Sequence, residues 1–121
     1  MARILIAEDD DADRLYLGTI LEEAGHEMYF AVDGEEALSV YVRNPIDVVV
    51  TDIMMARKDG VELILALRKL DPDAAIIAVS GEGQSGLDFA HMAGAQQTMT
   101  KPIDPEALVG AVEEVTNADR A

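Results

Sequence analysis

Apolar residues in this 121-residue chain fall into two kinds of run. Short runs at residues 3–7, 28–32, 47–51, 75–79 and 97–100 are mostly apolar rather than alternating with polar positions. That pattern predicts strands buried on both faces, as in a parallel sheet sandwiched between helices. Between them the spacing turns helical. Leu17, Ile20, Leu21 and Ala24 fall at i, i+3, i+4 and i+7, with Gly25 placed to close the helix. Asp33 with Glu36 three residues on predicts a capped second helix running to Asn44-Pro45. A third helix covers 61–70 and must stop before Pro72, which cannot continue it. A fourth is expected over 87–93, behind the glycines Gly81, Gly83 and Gly86. The last opens with Asp104 as N-cap and Pro105 at the first helical position, carries Leu108, Val109 and Val112 on its apolar stripe, and leaves 116–121 as a frayed tail. Strand-helix alternation with short loops implies right-handed crossovers and helices on both faces: a doubly wound α/β sheet of five parallel strands.

Four of the apolar runs end in chemistry. They lead into Glu8-Asp9-Asp10, Asp52, Ser80 and Lys101-Pro102. In an open α/β sheet the carboxyl ends of the strands border the ligand-binding crevice, so these side chains converge on one edge. Three carboxylates about 4 Å apart repel by roughly 4 kcal/mol per pair at an effective dielectric near 20. A small hard cation offsets that cost, and a donor set of oxygens without His or Cys suits Mg²⁺. A carboxylate beside such a cation can act as a nucleophile toward phosphorus, with a lysine and a hydroxyl stabilising the transferring oxygens.

Composition narrows the class. At 13.0 kDa and half hydrophobic, the chain is expected to form one domain over residues 1–121. The absence of cysteine excludes thiol catalysis, thiolate metal sites and disulfides. Nine basic against twenty-four acidic residues give a formal charge of −15. Nucleic-acid affinity is built on phosphate neutralisation by Lys and Arg, so direct nucleic-acid contact is not expected; a cation or a basic protein surface is the natural partner. The longest apolar run, 74–79, is too short to span a bilayer, and the N-terminus lacks the apolar stretch of a secretion signal. A cytoplasmic protein without membrane contact is expected.

The acidic pair, Asp52, Ser80-Gly81 and Lys101-Pro102, at these spacings across nearly the whole chain, resemble the receiver domains of two-component response regulators, the chemotaxis type among them. The resemblance implies a flavodoxin-like (βα)5 sheet in the order 2-1-3-4-5. It implies Glu8 and Asp9 as the metal-site acids, Asp52 as both phosphoacceptor and metal ligand, and Met54 as a backbone-carbonyl ligand to Mg²⁺. It further implies Ser80 as the hydroxyl switch residue, Lys101 as the phosphoryl-contacting lysine and Lys101-Pro102 as a cis peptide. The implied partners are a sensor histidine kinase or phosphotransfer protein upstream and an unnamed protein or effector domain downstream. Two positions depart from the family pattern. Ala56 stands where proline is frequent, which predicts a less rigid loop. Thr98 stands at the switch position usually held by an aromatic residue.

Each feature has a plainer counterpart. Acids at 8–13 before a helix are often caps, and Asp10 or Asp11 can cap here. Tyr16 and Phe89 read as core-edge packing, His26 and His91 as surface or capping residues, and Arg57-Lys58 as a solvated pair. A calcium loop fails because Arg14 and Ile20 stand where glycine and glutamate are needed. A dinucleotide loop would be glycine-rich and rich in donors, whereas the first loop is acidic. A haloacid-type phosphatase would want a second acid two residues beyond Asp52, at Met54. A degenerate receiver acting only as an interaction module is opposed by the presence of Glu8, Asp9, Asp52, Ser80 and Lys101 together.

Overall fold

Each of the five predicted runs forms a strand, the last included although only Met99 of its four residues is apolar, and each is followed by a helix. In the computed structural model these are β1 (Arg3–Ala7), α1 (Asp11–Glu23), β2 (Glu27–Ala31), α2 (Gly34–Arg43), β3 (Val48–Asp52), α3 (Gly60–Leu70), β4 (Ala75–Ser80), α4 (Gln84–Ala93), β5 (Gln97–Thr100) and α5 (Pro105–Arg120). The structure describes residues 1–55, 59–81 and 84–120. All strand pairs are parallel and the order is β2-β1-β3-β4-β5, the flavodoxin-like arrangement.

Alternate strand residues feed two cores. Ile4, Ile6, Val48, Val50, Ile77 and Val79 pack with Leu17 and Leu21 of α1 and Leu108 and Val112 of α5. Leu5, Val49, Ile76 and Ala78 pack on the other face with Ala37 of α2, Leu63, Ile64 and Leu67 of α3, and Ala90 of α4. Strands β1, β3 and β4 are therefore apolar on both sides, which is why their sequences do not alternate.

Four helices start with the same device. Asp10, Asp33, Asp59 and Asp104 each accept the backbone N–H three residues on, from Asp13, Glu36, Glu62 and Ala107, at 2.8 to 2.9 Å. Glu36 also reaches back to accept the Val32 N–H at 3.0 Å, closing the second cap. At the other end of α1, Gly25 takes φ 97°, a left-handed conformation that glycine adopts without strain.

Several boundaries differ from expectation. Strands β2 and β3 begin one residue away from the apolar runs that predict them, and Asp52 and Ser80 are the last residues of β3 and β4 rather than the first residues after them. The ladder extends that far because Asp52 pairs with Val79 and the Ser80 carbonyl accepts the Lys101 N–H at 2.9 Å. Helix α4 begins at Gln84, three residues before the expected 87, and takes in Gly86. The expected frayed tail is helical through Arg120: Val115 is buried, and the Thr116 hydroxyl donates to the Val112 carbonyl at 2.9 Å. Phe89, expected at the core edge, is exposed, because α4 turns Ala90 to the core instead. Ala56, with the expectation of a less rigid loop, and the Arg57-Lys58 pair lie outside the described residues.

Candidate functional site

The ends of β1, β3, β4 and β5 bring the predicted side chains to one edge. Glu8 follows β1 directly, its N–H bonded to the Ala31 carbonyl at 3.0 Å, and its side chain turns inward until only 1% of the residue is exposed. Asp52 closes β3 and is nearly as buried. Oxygens of Glu8, Asp9 and Asp52 all lie within 4.8 Å of one another, with Asp9 on the solvent side. Such a set, oxygen-only and open on one side, fits a hard divalent cation that keeps some of its water.

Lys101 enters from the end of β5, directly before the cis Lys101–Pro102 bond. Its Nζ donates to Glu8 Oε1 at 2.8 Å, to Asp52 Oδ2 at 3.0 Å and to Asp13 Oδ2 at 2.8 Å. Burial works against the charged amine, but hydrogen bonds to Asp13, Glu8 and Asp52 outweigh it and hold its pKa above that of an ordinary lysine. Glu8 shows the opposite balance. Burial pushes its carboxyl from 4.5 up to about 7, against the Lys101 and Asp10 N–H bonds that favour the anion, and neighbouring Asp52 pushes it the same way as burial. Asp52 Oδ1 accepts the Met54 N–H at 3.1 Å, so the two carboxylate oxygens have different partners.

Ser80 is fully buried at the end of β4 and pairs with Thr100; Thr98 is half-buried in the middle of β5, opposite Ala78. The site therefore gathers Glu8, Asp9, Asp52 and Lys101, with Ser80 on the adjoining strand end and Thr98 further down the sheet. Two residues escape a reading by motif. Asp13, in the first turn of α1, belongs with Lys101; its chain position suggests only a cap. Gly60 opens α3 against the end of β3, where a Cβ would come within 2.7 Å of the Ile53 Cα, so only glycine lets α3 start that close to Asp52. The Asp59-Gly60 pair before an apolar run is the signal that could have found it.

Residues 4–113 match the family described as the response regulator receiver domain. The chain belongs to that family. Among its relatives, the chemotaxis protein CheY of Thermotoga maritima is 35% identical over 116 residues, covering 94% of this chain and 97% of that protein. The transcriptional regulatory protein GlrR of Escherichia coli is 30% identical over 93% of this chain, which spans only 26% of GlrR. A solved response regulator receiver domain protein from Clostridium thermocellum superposes with a TM-score of 0.93 at 28% identity, over 99% of this chain and 98% of the other. This receiver domain thus has a phosphoacceptor role in two-component signalling, and its family typically binds Mg²⁺ at an acidic pocket such as the one Glu8, Asp9 and Asp52 form. Among the described residues no helix is long and apolar enough to cross a membrane.

Proposed function

We propose that this receiver takes a phosphoryl group onto Asp52 from the phosphohistidine of a sensor kinase or phosphotransfer protein, and itself catalyses both that transfer and the later hydrolysis of the Asp52 acyl phosphate to inorganic phosphate. The observation that carries the reading is the Asp52 carboxylate at the crevice edge, one oxygen held 3.0 Å from Lys101 Nζ and the group within 4.8 Å of Glu8 and Asp9 oxygens. An Asp52 oxygen attacks phosphorus, the P–N bond breaks, and the departing imidazole keeps the electron pair and takes a proton. In this reading Lys101 offsets charge on the transferring oxygens, and the Ser80 hydroxyl donates to one of them.

Glu8, Asp9, Asp52 and the backbone carbonyl of Met54 are the groups that would hold Mg²⁺, which when bound neutralises charge on the phosphoryl oxygens. Ser80 and Thr98 would form the switch positions from which changed contacts reach a downstream protein or effector domain. With a formal charge of −15 the chain has no direct nucleic-acid role in this reading, which places it in the cytoplasm away from the membrane. The test is intact mass after incubation with Mg²⁺ and acetyl phosphate. The expected result is one acid-stable, hydroxylamine-labile phosphoryl adduct in the native protein and none in Asp52→Asn. An undiminished single adduct in that variant removes Asp52 as acceptor.

A further inference from the structure

Lys101 is shared three ways, and the shares are unequal. An ammonium has three N–H donors, and here Glu8, Asp13 and Asp52 accept all three. A phosphoryl group on Asp52 turns that carboxylate into an acyl phosphate and inherits its donor, but a second contact from Lys101 to the phosphoryl oxygens needs Glu8 or Asp13 to yield. Glu8, at 1% side-chain exposure, cannot be left to water, whereas the Asp13 side chain is 45% exposed and water replaces its partner at little cost.

We propose that Asp13 is a positioning residue of the phosphoryl site: it competes with the phosphoryl group for Lys101 and thereby weakens the phosphorylated state relative to the unphosphorylated one. The competition has two parts. Asp13 occupies the donor that this second contact needs, and once released its carboxylate stands beside a phosphoryl dianion and repels it. Asp13 is not needed to aim the lysine, since Glu8 and Asp52 already fix Nζ from the buried side. Nor does its side chain cap α1: Asp10 does that, through the Asp13 N–H. The contact is also tied to the loop beyond β5, where the Tyr16 hydroxyl, one turn along α1, donates to the Ile103 carbonyl at 3.0 Å. Release of Asp13 therefore leaves α1 anchored and frees only the lysine.

The inference rests on Asp52 being the phosphoacceptor, and its test separates the two. Calorimetric affinity for beryllofluoride in saturating Mg²⁺, a binding measurement that needs no turnover, is compared in native protein, Asp13→Asn, Asp13→Ala and Asp13→Glu. Loss of a half-exposed ion pair and its repulsion should tighten beryllofluoride binding by about threefold to tenfold in Asp13→Ala, less in Asp13→Asn, which can still accept from Lys101, and not in Asp13→Glu. Mg²⁺ affinity should change by less than about twofold in Asp13→Asn, because that carboxylate is not among the clustered metal-site oxygens. Unchanged or weaker beryllofluoride binding in both Asp13→Asn and Asp13→Ala overturns the proposal while leaving the Asp52 reading intact. A native protein that binds beryllofluoride no better than Asp52→Asn overturns both.

Discussion

Carboxylates stand at both ends of this sheet, under different conditions. At the amino end each has its own donors: Asp47 accepts the Arg3 N–H at 2.7 Å, and Asp71 accepts the Tyr41 hydroxyl at 3.2 Å and the Asp73 N–H at 2.9 Å. These acids are solvated and close loops. At the carboxyl end Glu8, Asp13 and Asp52 divide a single ammonium, two of them buried, and Asp9 adds a fourth charge. Size does not separate the two ends. The cleft at the amino end, bordered by Tyr41, Asp47 and Asp71, encloses about 510 Å³, against about 120 Å³ for the one beside Asp13 and Lys101. What marks the functional end is that, among the described residues, its acids outnumber the cations that reach them and two of those acids are buried.

The sharpest way to break that contrast is to remove the cation from each end. Lys101→Ala leaves buried Glu8 and Asp52 facing each other and should lower metal-free stability by about 3 kcal/mol at pH 8. Arg3→Ala removes an exposed partner, 3.7 Å from Glu27 and 3.9 Å from Asp47, and should cost less than about 1 kcal/mol. Urea unfolding in chelator measures both. Equal losses would mean the carboxyl-end acids are as well solvated as the amino-end ones.

The two ends should also answer pH with opposite signs. The folded-state pKa of Glu8 lies near 7, above its ordinary 4.5, so the folded protein binds that proton more tightly than the unfolded chain does. Its contribution is fullest below 4.5 and is lost as pH rises through 7, on the order of 3 kcal/mol in metal-free protein. At the amino end the His26 Nδ1 accepts the Ala2 N–H at 3.0 Å, and burial, then the positive chain terminus, lowers its pKa from 6.5. That group must stay neutral, so its contribution is present above 6.5 and is lost as pH falls below it. Stability measured from pH 4.5 to 8 in chelator should therefore fall with rising pH in the native protein. In Glu8→Gln the fall should disappear and the His26 rise emerge, and His26→Asn should remove that rise. A Glu8→Gln curve that still falls would show that burial of Glu8 does not govern the site.

Local rules carried most of the fold. The apolar runs of β1, β3 and β4 read as doubly buried strands because the sheet is covered on both faces there, whereas the edge strands β2 and β5, expected to be buried likewise, are only partly so; Asp33 and Asp104 announced helix starts through their own cap bonds. What stayed hidden depended on tertiary register. Asp13 lies 88 residues from Lys101, and nothing in its neighbourhood says that the first turn of α1 leans on the end of β5. Phe89 sits in an apolar pattern that could face either way until α4 docks through Ala90. The terminal helix continues because Val115 finds the core, a contact no short window contains. At the site, strand-end chemistry was legible because parallel strands must end at one edge; the sharing of one lysine was not, since it is set by distances between four elements.

The smallest effect is the most direct comparison of like with like, one exposed acid neutralised at each end. Asp9 belongs to the oxygen cluster and faces solvent, so in metal-free protein its charge only adds repulsion against Glu8 and Asp52. Asp9→Asn should raise metal-free stability by about 1 kcal/mol, as neutralising one member of a crowded, function-driven cluster does, and should abolish most of the stability that Mg²⁺ adds. Asp47 accepts the Arg3 N–H and shares the Arg3 guanidinium with Glu27, so Asp47→Asn should lower stability by about 0.5 to 1 kcal/mol and leave the Mg²⁺ gain intact. Thermal melts with chelator and with Mg²⁺ give all four numbers. If Asp9→Asn instead lowers metal-free stability by more than about 1 kcal/mol, Asp9 is a structural cap like Asp10, and the crowding at the carboxyl end is less than its geometry implies.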